Sequence, residues 1–476
     1  MSILQRWAIV SSTALLALLA SGTLVMLAPL LPLLQHQYSL NVSSAGWVFT
    51  TLLLASGAGV VVLPRLADVV GDRNAAVLAG TSLLVGALIP AVSSSYLALI
   101  IGAALLGWGS AGAVLSVGLL RRHLPGSSLQ TAVTVLSVSA GVGTGVGFVL
   151  GGLALEHMSI VAFFYVSAGL FAFATLGILL FVPGNRPGGG GRIGVGGAVG
   201  LILWISVLFL GLSQAPTWGY TAVSTVSLVA LGVLGAVIWT ITERRAKAPV
   251  FDLNLLRNST VRRACAAIAL TGAVFSAVTI LIPFYVQTPA EVGYGLGLDA
   301  LHTGLLLFPF AITATIAGAL GGAAVERGVA LGCASAGCIL AVLAFVWLAA
   351  LHSAQWHFMI ATAVAGMGIG LANAGLFGAP QTEVNADVAG MVAGMVGTST
   401  SIGSAVAAPL FSGILSVRSV PGMPGVPQEQ LFTISFGVSA ALALAAVMLT
   451  IRRRARPVPP GGSASVARVR SNSSPG

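Results

Sequence analysis

The chain has 476 residues, of which 57% are hydrophobic and only 7% are charged. Soluble domains carry about 25% charged residues, so 21 basic and 11 acidic side chains cannot cover the surface of a soluble chain of this length. The composition excludes soluble multidomain enzymes, disordered proteins and disulfide scaffolds, and it predicts a polytopic membrane protein.

The net charge of +10 is divided among short basic clusters between apolar runs. This distribution favours cytoplasmic membrane loops over a surface that binds nucleic acid. The cysteines Cys265, Cys333 and Cys338 lie within apolar runs, without a CxxC motif or a partner histidine. We therefore expect no disulfide framework, no metal site and no cofactor.

Fourteen apolar runs are long enough to cross a bilayer, which takes about 20 helical residues. Turn-forming and charged residues separate the runs, and the sequence therefore predicts an all-α protein with fourteen transmembrane helices. The runs lie near residues 8–31, 45–63, 75–93, 97–118, 130–153, 160–182, 194–213, 223–242, 264–287, 301–322, 329–350, 356–378, 389–415 and 431–451.

The orientation follows from the excess of basic residues that cytoplasmic loops carry. With the N-terminus inside, all but one of the 21 basic residues, Arg418, lie on the cytoplasmic side. We therefore expect a multi-pass protein of a bacterial inner membrane with both termini in the cytoplasm. The first run could instead be a cleaved signal peptide, but its apolar part is longer than a signal peptide needs.

A weak internal repeat relates the two halves of the chain. Residues 66–71 (LADVVG) follow the second run and residues 323–328 (AAVERG) follow the tenth, each with glycine four residues after alanine. Two ordinary charged loops are the alternative. Matching run two to run ten gives six helices, two extra helices and six more. Two six-helix halves related by an axis along the membrane normal resemble the plan of major facilitator transporters. The expected domains are a six-helix bundle at 1–182, two linker helices and a cytoplasmic linker at 183–263, a second six-helix bundle at 264–451, and a disordered basic tail at 452–476.

Residues 63–73 (LPRLADVVGDR) resemble the signature loop between the second and third helices of that superfamily. Asp68, Gly71 and Arg73 match the loop, whereas Pro64 stands where glycine is usual. The resemblance implies a conformational switch in which Asp68, at a helix end, latches the two halves on the cytoplasmic side. A solvated turn is the alternative.

Residues 143–152 (GTGVGFVLGG) in the fifth run resemble the antiporter signature GxxxGPxxGG, with Phe148 in place of the proline. Glycine at every fourth residue makes a flat helix face that allows close backbone approach. A rocking transporter could slide on such a face, although static GxxxG packing is the alternative. The matching residues are Gly143, Gly147, Gly151 and Gly152.

Residues 243–258 (ERRAKAPVFDLNLLRN) resemble the linker before the second half in the fourteen-helix drug:proton antiporter family of the superfamily. Helix count, linker and fifth-run motif agree over residues 8–451. Membership in this family implies export of drugs, toxic metabolites and other amphipathic molecules, usually against protons. The expected partners are a small-molecule substrate and the lipid bilayer, and we expect the protein to function as a monomer.

The sequence departs from this family where proton coupling is concerned. Ser21 occupies the position of the first-helix acid and Ala103 that of the fourth-helix arginine, and no acid falls at mid-membrane. Proton coupling is therefore left open. Asp299 and His302, three residues apart at the outer start of the tenth run, could sense external protons or bind a cationic substrate. A solvated pair at a loop end is the alternative.

Polar side chains within apolar helices should face protein or a cavity. Serine and threonine often bind the backbone of their own helix instead. The candidates for lining a substrate cavity are Ser21, Thr23, Ser276, Thr279 and Asn373.

The leading interpretation is a secondary transporter, not an enzyme, that exports small amphipathic compounds by alternating access. Residues 188–192 (GGGGR) lack the Lys-Ser/Thr end of an ATP-binding loop, so ATP is not expected to drive transport. A facilitator or uptake carrier of the same fold and a transport-inactive sensor are alternatives. A membrane-embedded, lipid-linked transferase would need converging catalytic groups. The histidines are scattered, and a solvated loop would explain His352 and His357.

Overall fold

The computed structural model describes residues 3–38, 40, 42–93, 95–124, 126–184, 195–219, 221–246, 255–381, 384 and 386–451. Almost all of this part of the chain is α-helical. Helices are the expected outcome for long apolar runs, because a helix pairs its backbone N–H and C=O groups within one segment and needs no water to do so.

The first half of the chain forms helices α1–α8. The first apolar run ends earlier than predicted, because Pro29 and Pro32 interrupt it and a short helix, α2, follows the turn. The fourth run is divided at Ala111, between two glycines, into α5 and α6. The bounds are α1 Ile3–Met26, α2 Leu31–Gln37, α3 Val42–Val70, α4 Asp72–Val92, α5 Tyr96–Ser110, α6 Gly112–His123, α7 Gly126–His157 and α8 Ile160–Phe181.

The remainder comprises an extra helical pair, a second set of helices and a short hairpin. The extra helices are α9 (Val195–Trp218) and α10 (Val223–Arg245), which pack on each other. Two 3-10 turns, Leu255–Arg257 and Ala290–Val292, flank α11. The remaining bounds are α11 Ser259–Gln287, α12 Ala300–Glu326, α13 Ala330–Ala350, α14 Gln355–Gln381, α15 Ala386–Ser416, β1 Ser419–Val420, β2 Met423–Pro427 and α16 Glu429–Thr450.

The predicted count of fourteen membrane-crossing helices is confirmed for the described residues. Twelve spans are long and apolar enough to cross a membrane, with α5 and α6 together making one of them. The other two helices, α7 and α9, contain shorter apolar stretches, Val138–Gly152 and Val199–Leu208. Because α7 and α9 have 32 and 24 residues, both are long enough to cross a hydrocarbon core of about 30 Å.

Two seams join the two sets of helices. In one seam α3 packs on α15, where Gly46 and Gly57 lie against Ser412 and Ser401. In the other seam α7 packs on α12. The extra helix α9 lies across the first seam and contacts both α3 and α15. The extra pair is therefore peripheral, with one helix bridging the two halves.

The internal repeat has a structural counterpart at two helix junctions. Gly71 between α3 and α4 has a φ of 91°, and Gly328 between α12 and α13 has a φ of 81°. Side chains other than glycine rarely adopt this left-handed region. Each glycine thus makes the tight turn in its own half, where the sequence repeat places it.

Candidate functional site

The turn between α3 and α4 brings one of the predicted switch residues onto a neighbouring helix. The Arg73 guanidinium donates a hydrogen bond from Nη2 to the backbone oxygen of Leu179, in the last turn of α8. A cation at a helix C-terminus is favourable, because it meets unpaired carbonyls and the negative end of the helix dipole. Arg73 therefore ties α4 to α8 inside the first half. The side chain of Asp68 lies outside the described residues.

A buried acid that is not among the predicted switch residues lies beside this turn. Asp72 is the first residue of α4 and is 2% exposed. A carboxylate at this place faces the positive end of the helix dipole, which offsets part of its desolvation. The sequence offered one signal for its position. Asp72 comes directly after Gly71, and acids are favoured in the first turn of a helix.

The glycines of α7 divide between two faces with different partners. Gly143, Gly147 and Gly151 face α1, and a Cβ at position 147 would lie 2.6 Å from the carbonyl oxygen of Gly22. Gly152 instead faces Ala300 at the start of α12. Three of the four motif glycines therefore hold α7 against α1 within the first half, and only the fourth lies at the seam between the halves.

Phe148, which replaces the motif proline, lies on the seam face of α7. It is fully buried, and its ring meets Phe310 of α12 edge to face at a centroid distance of 6.3 Å. Phe275 of α11 packs on the other side of this contact, 6.0 Å from Phe310. The aromatic substitution thus joins the halves at the place where the family motif has a proline.

The polar candidates for a substrate cavity do not share one cavity wall among the described residues. Ser276 donates to the backbone of Ser404 on α15 at 2.7 Å. Thr279 and Thr23 donate to carbonyls of their own helices, at 3.1 Å to Phe275 and at 2.8 Å to Leu19.

The other two candidates for lining a substrate cavity are Ser21 and Asn373. Ser21 is half-buried on α1. The Oδ1 atom of Asn373 is buried on α14 and has no hydrogen-bond partner among the described residues. An unpaired buried amide oxygen is costly, so Asn373 is the stronger remaining candidate for contacting a polar group of a ligand.

A groove of about 420 Å³ opens between α1, α7 and α8. Its wall is almost wholly apolar, and among the described residues only Thr23 and Ser167 contribute hydroxyl groups to it. The glycines Gly22, Gly143 and Gly147 also line it. The groove is suited to a hydrocarbon or aromatic group, because it offers apolar contact and almost no hydrogen bonds.

At the opposite pole from the α3–α4 turn, two glutamine side chains bind across the halves. Gln35 of α2 donates from Nε2 to the oxygen of Gly425 on β2 at 3.2 Å. Gln287, the last residue of α11, donates to the oxygen of Pro29 at 2.8 Å. A pocket of about 270 Å³ lies between these contacts. We call this region the outer seam, after the external side on which the sequence-based orientation places it, and in this structure the two hydrogen bonds cross it.

Asp299 and His302 form the pair that the sequence predicts at the start of α12. Asp299 caps the helix, and its carboxylate lies 2.8 Å from Nδ1 of His302. Both side chains are about half exposed, at 50% and 53%. Partial burial acts to raise the pKa of Asp299, but hydrogen bonds from the backbone and the ring of His302 outweigh it and hold that pKa below its usual value.

The sequence analysis did not predict the β1–β2 hairpin or the burial of His352 and His357. The Pro421-Gly422 pair was a turn signal, and Gly422 has a φ of 82° at the hairpin tip. The interpretation of His352 and His357 as solvated loop residues is wrong, because their side chains are 13% exposed and buried, respectively. Nothing in the sequence around these histidines indicates burial.

Comparisons with known proteins agree with this architecture. The chain is 24% identical over 415 residues to "Multidrug resistance protein Stp" of Mycobacterium tuberculosis, covering 85% of this chain and 76% of that protein. It is 22% identical over 397 residues to the "Tetracenomycin C resistance and export protein" of Streptomyces glaucescens, covering 81% and 72%. Among solved structures, the nucleoside transporter NupG superposes with a TM-score of 0.64 at 13% identity, over 94% of this chain and 100% of NupG.

The solved structure supports the fold alone at this level of identity. The family model "Major Facilitator Superfamily" matches residues 13–408, which is most of the chain. The two seams, the repeated glycine turns and the extra helical pair fit that match, and the chain belongs to the Major Facilitator Superfamily of membrane transporters.

Proposed function

We propose that this transporter exports small amphipathic compounds by alternating access, with residues 1–182 and 264–451 as the two moving bundles. The observation that carries the proposal is the pair of seams, α3 with α15 and α7 with α12. Glycine, serine and aromatic side chains meet there, with no ion pair between the halves among the described residues. Contacts of this kind can repack without separating charges.

The proposed substrate class rests on the apolar groove and on the relatives. An almost wholly apolar wall favours a ligand with a large hydrocarbon or aromatic part. Two relatives carry names that refer to multidrug resistance and to export of tetracenomycin C. Asn373 is a candidate for the polar end of such a ligand, and Ser21, Thr23, Ser276 and Thr279 remain proposed cavity residues.

We place the conformational switch at the α3–α4 turn and on α7. Asp68 is proposed to latch the halves on the cytoplasmic side, with Gly71 making the turn and Arg73 fixing α4 on α8. In α7, Gly152 is proposed to move against α12, while Gly143, Gly147 and Gly151 keep α7 on α1.

The coupling ion is proposed to be the proton, with Asp299 and His302 as a group that titrates on the external side. Facilitated movement is the second candidate, because the described acids all lie at helix ends or in loops. We further propose that the protein acts as a monomer in a bacterial inner membrane with both termini in the cytoplasm, without ATP, nucleic acid or catalytic turnover.

A transport assay in liposomes tests the proposal. The protein is reconstituted, an inward proton gradient is imposed, and the fluorescent lipophilic cation ethidium is followed together with internal pH. Export activity with linked proton flux is expected, and Asp68→Asn should slow both. Ethidium movement without proton flux would support the facilitator. If neither signal differs from that of protein-free liposomes across a panel of lipophilic drugs, the export proposal is wrong.

A further inference from the structure

A histidine and a glutamate meet at the external end of the second half, outside every motif discussed above. His352 follows α13, and Glu429 is the first residue of α16. Nε2 of His352 lies 3.3 Å from Oε1 of Glu429. His352 is 13% exposed and Glu429 is 49% exposed, so the carboxylate can exchange protons with external water while the ring is mostly enclosed.

The other ring nitrogen determines the protonation state that this contact needs. Nδ1 of His352 lies 2.8 Å from the backbone oxygen of Leu348. A carbonyl oxygen only accepts, so Nδ1 must carry a hydrogen. A neutral imidazole would then point the lone pair of Nε2 at the carboxylate. The contact is attractive only when one proton lies between His352 and Glu429.

The described side chains that pack around the His352 ring are aromatic, so the carboxylate of Glu429 balances the positive charge of a protonated ring. Tyr285 of α11 meets the ring of His352 edge to face at 5.4 Å. Tyr294, in the loop before α12, packs on Tyr285, and burial raises the pKa of Tyr294 to about 12. Phe436 of α16 covers another side of the His352 ring at 6.0 Å.

The other titratable groups of this region, His357 and Arg418, make no ion pair with His352 or Glu429 among the described residues. His357 of α14 accepts a hydrogen bond at Nδ1 from the backbone N–H of Ala354, and so acts as a cap within its own loop. Arg418 lies at the base of the hairpin, opposite Gln428, where it is exposed and makes no ion pair with Glu429 among the described residues. The proton between His352 and Glu429 is therefore balanced within the pair.

The hairpin links this pair to the outer seam. Glu429 comes directly after Gln428, whose backbone N–H donates to the oxygen of Arg418 at 3.1 Å and closes the base of the hairpin. Pro427, the last residue of β2, accepts a hydrogen bond from the Tyr294 hydroxyl. Two residues earlier, Gly425 accepts the hydrogen bond from Gln35 of the first half.

We propose that His352 and Glu429 form a proton-binding site open to the external side, and that the bound proton holds the hairpin 419–427 across the outer seam. External water supplies the proton to Nε2 and takes it back. Without the proton, the Nε2 lone pair repels the carboxylate, Glu429 turns into solvent, and the hairpin loosens its hold on Gln35. The proton site is inferred from the distances from His352 to Glu429 and Leu348, whereas its role in closure rests on the proposed function.

Hydrogen–deuterium exchange of the full-length protein in nanodiscs tests this site without a substrate. Exchange of the hairpin amides is followed between about pH 5 and 8, where histidine changes charge, and is referenced to the denatured protein at each pH. In the wild type we expect protection to fall about tenfold or more as the pH rises, the effect of losing one charge-assisted hydrogen bond.

Two variants and a matched control assign the effect. His352→Gln and Glu429→Gln each supply an amide donor that needs no titrating proton, so hairpin protection should become independent of pH. His302→Gln changes the other external histidine that lies 2.8 Å from a carboxylate, and it should keep the wild-type pH dependence of the hairpin.

Three results would overturn the proposal: a wild-type hairpin whose protection does not change with pH, an unchanged pH dependence in both amide variants, or its loss in His302→Gln. The wild-type profile decides even if a variant does not fold. If hairpin protection depends on pH but the protein moves no drug in liposomes, the proton site is supported and only the export function is contradicted.

Discussion

At position 147 the absence of a side chain determines how closely α1 and α7 approach. A Cβ there would lie 2.6 Å from the Gly22 carbonyl oxygen, which is backbone and cannot turn away. The family resemblance implies a sliding surface on this face. The structure places the contact inside the first half, between α1 and α7.

Gly147→Leu is therefore expected to lower the stability of the first half as well as transport. Overpacking of a tight contact typically costs about 1–3 kcal/mol. The measurement is the melting temperature of the detergent-solubilised protein, read by size-exclusion chromatography after heating. Gly169→Leu is the matched control, because a Cβ at position 169 meets nothing within 4 Å. Equal melting of the two variants would show that Gly147 does not pack as described.

Asp299 gives a prediction for acid pH. Its pKa is lower in the folded protein than its ordinary value, so the stability that it contributes is present at neutral pH and is lost as the pH falls through the lowered pKa. Asp299→Ala also removes the cap of α12 and should cost about 0.5–2 kcal/mol at neutral pH. Asp299→Asn can keep the cap and should lose mainly the acid dependence.

Melting curves at neutral and acid pH separate these contributions. The difference in melting temperature between wild type and Asp299→Asn should shrink as the pH falls. A constant difference at all pH values would mean that the charge of Asp299 does not stabilise the start of α12.

At the scale of elements, the helices were predictable, but not every break between them was. Each long apolar run became a helix because chain length and hydrophobicity alone set that outcome in a membrane. Pro29 and Pro32 gave a signal for the end of α1, whereas the division at Ala111 depends on packing around the neighbouring glycines. The hairpin was not predicted, because its two short strands lie in a loop whose only signal was a Pro-Gly turn.

The site was less predictable than the fold because nearly uniform apolar helices do not reveal which face meets which neighbour. The motif glycines of α7 were found from their spacing, but their division between α1 and α12 is a property of the packed bundle. Phe148 was noticed as a departure from the motif, and its contact with Phe310 could only be seen once α12 was in place.

Phe148→Ala tests the seam between α7 and α12. Removing a fully buried phenylalanine typically costs about 3–5 kcal/mol, and here part of that cost falls on the contact between halves. We expect a changed transport rate together with lower stability. Phe164→Ala is the control, because Phe164 is equally buried but pairs with Phe163 in the same helix. If both variants transport alike at matched stability, the Phe148 contact has no role in the movement.

For the whole molecule, two neutral hydrogen bonds cross the outer seam among the described residues, and we expect them to contribute to its closure. Gln35 and Gln287 each donate one bond across the halves. A neutral hydrogen bond contributes about 0.5–1.5 kcal/mol net, and 1.4 kcal/mol is a tenfold change in an equilibrium. Replacing both glutamines by alanine should therefore shift the population toward an open outer seam by about tenfold or more.

Labelling of the pocket behind these glutamines measures that shift. Thr288 lines the pocket of the outer seam, and a cysteine introduced there should react faster with a membrane-impermeant thiol reagent in the double variant. An unchanged labelling rate would show that the two glutamines do not keep the seam closed.

The central claim is that the two halves alternate at this seam, and a distance across it tests that claim most directly. Spin labels at Gln37→Cys on α2 and Met423→Cys on the hairpin leave the Gln35–Gly425 contact intact, and the three native cysteines are buried. Pulsed electron paramagnetic resonance in nanodiscs should give a short distance and a second, longer one, with populations that change with pH and with ethidium. A control pair within the first half, Gln37→Cys and Val92→Cys, should keep one distance. A single unchanged distance across the seam under all conditions would contradict alternating access at this site.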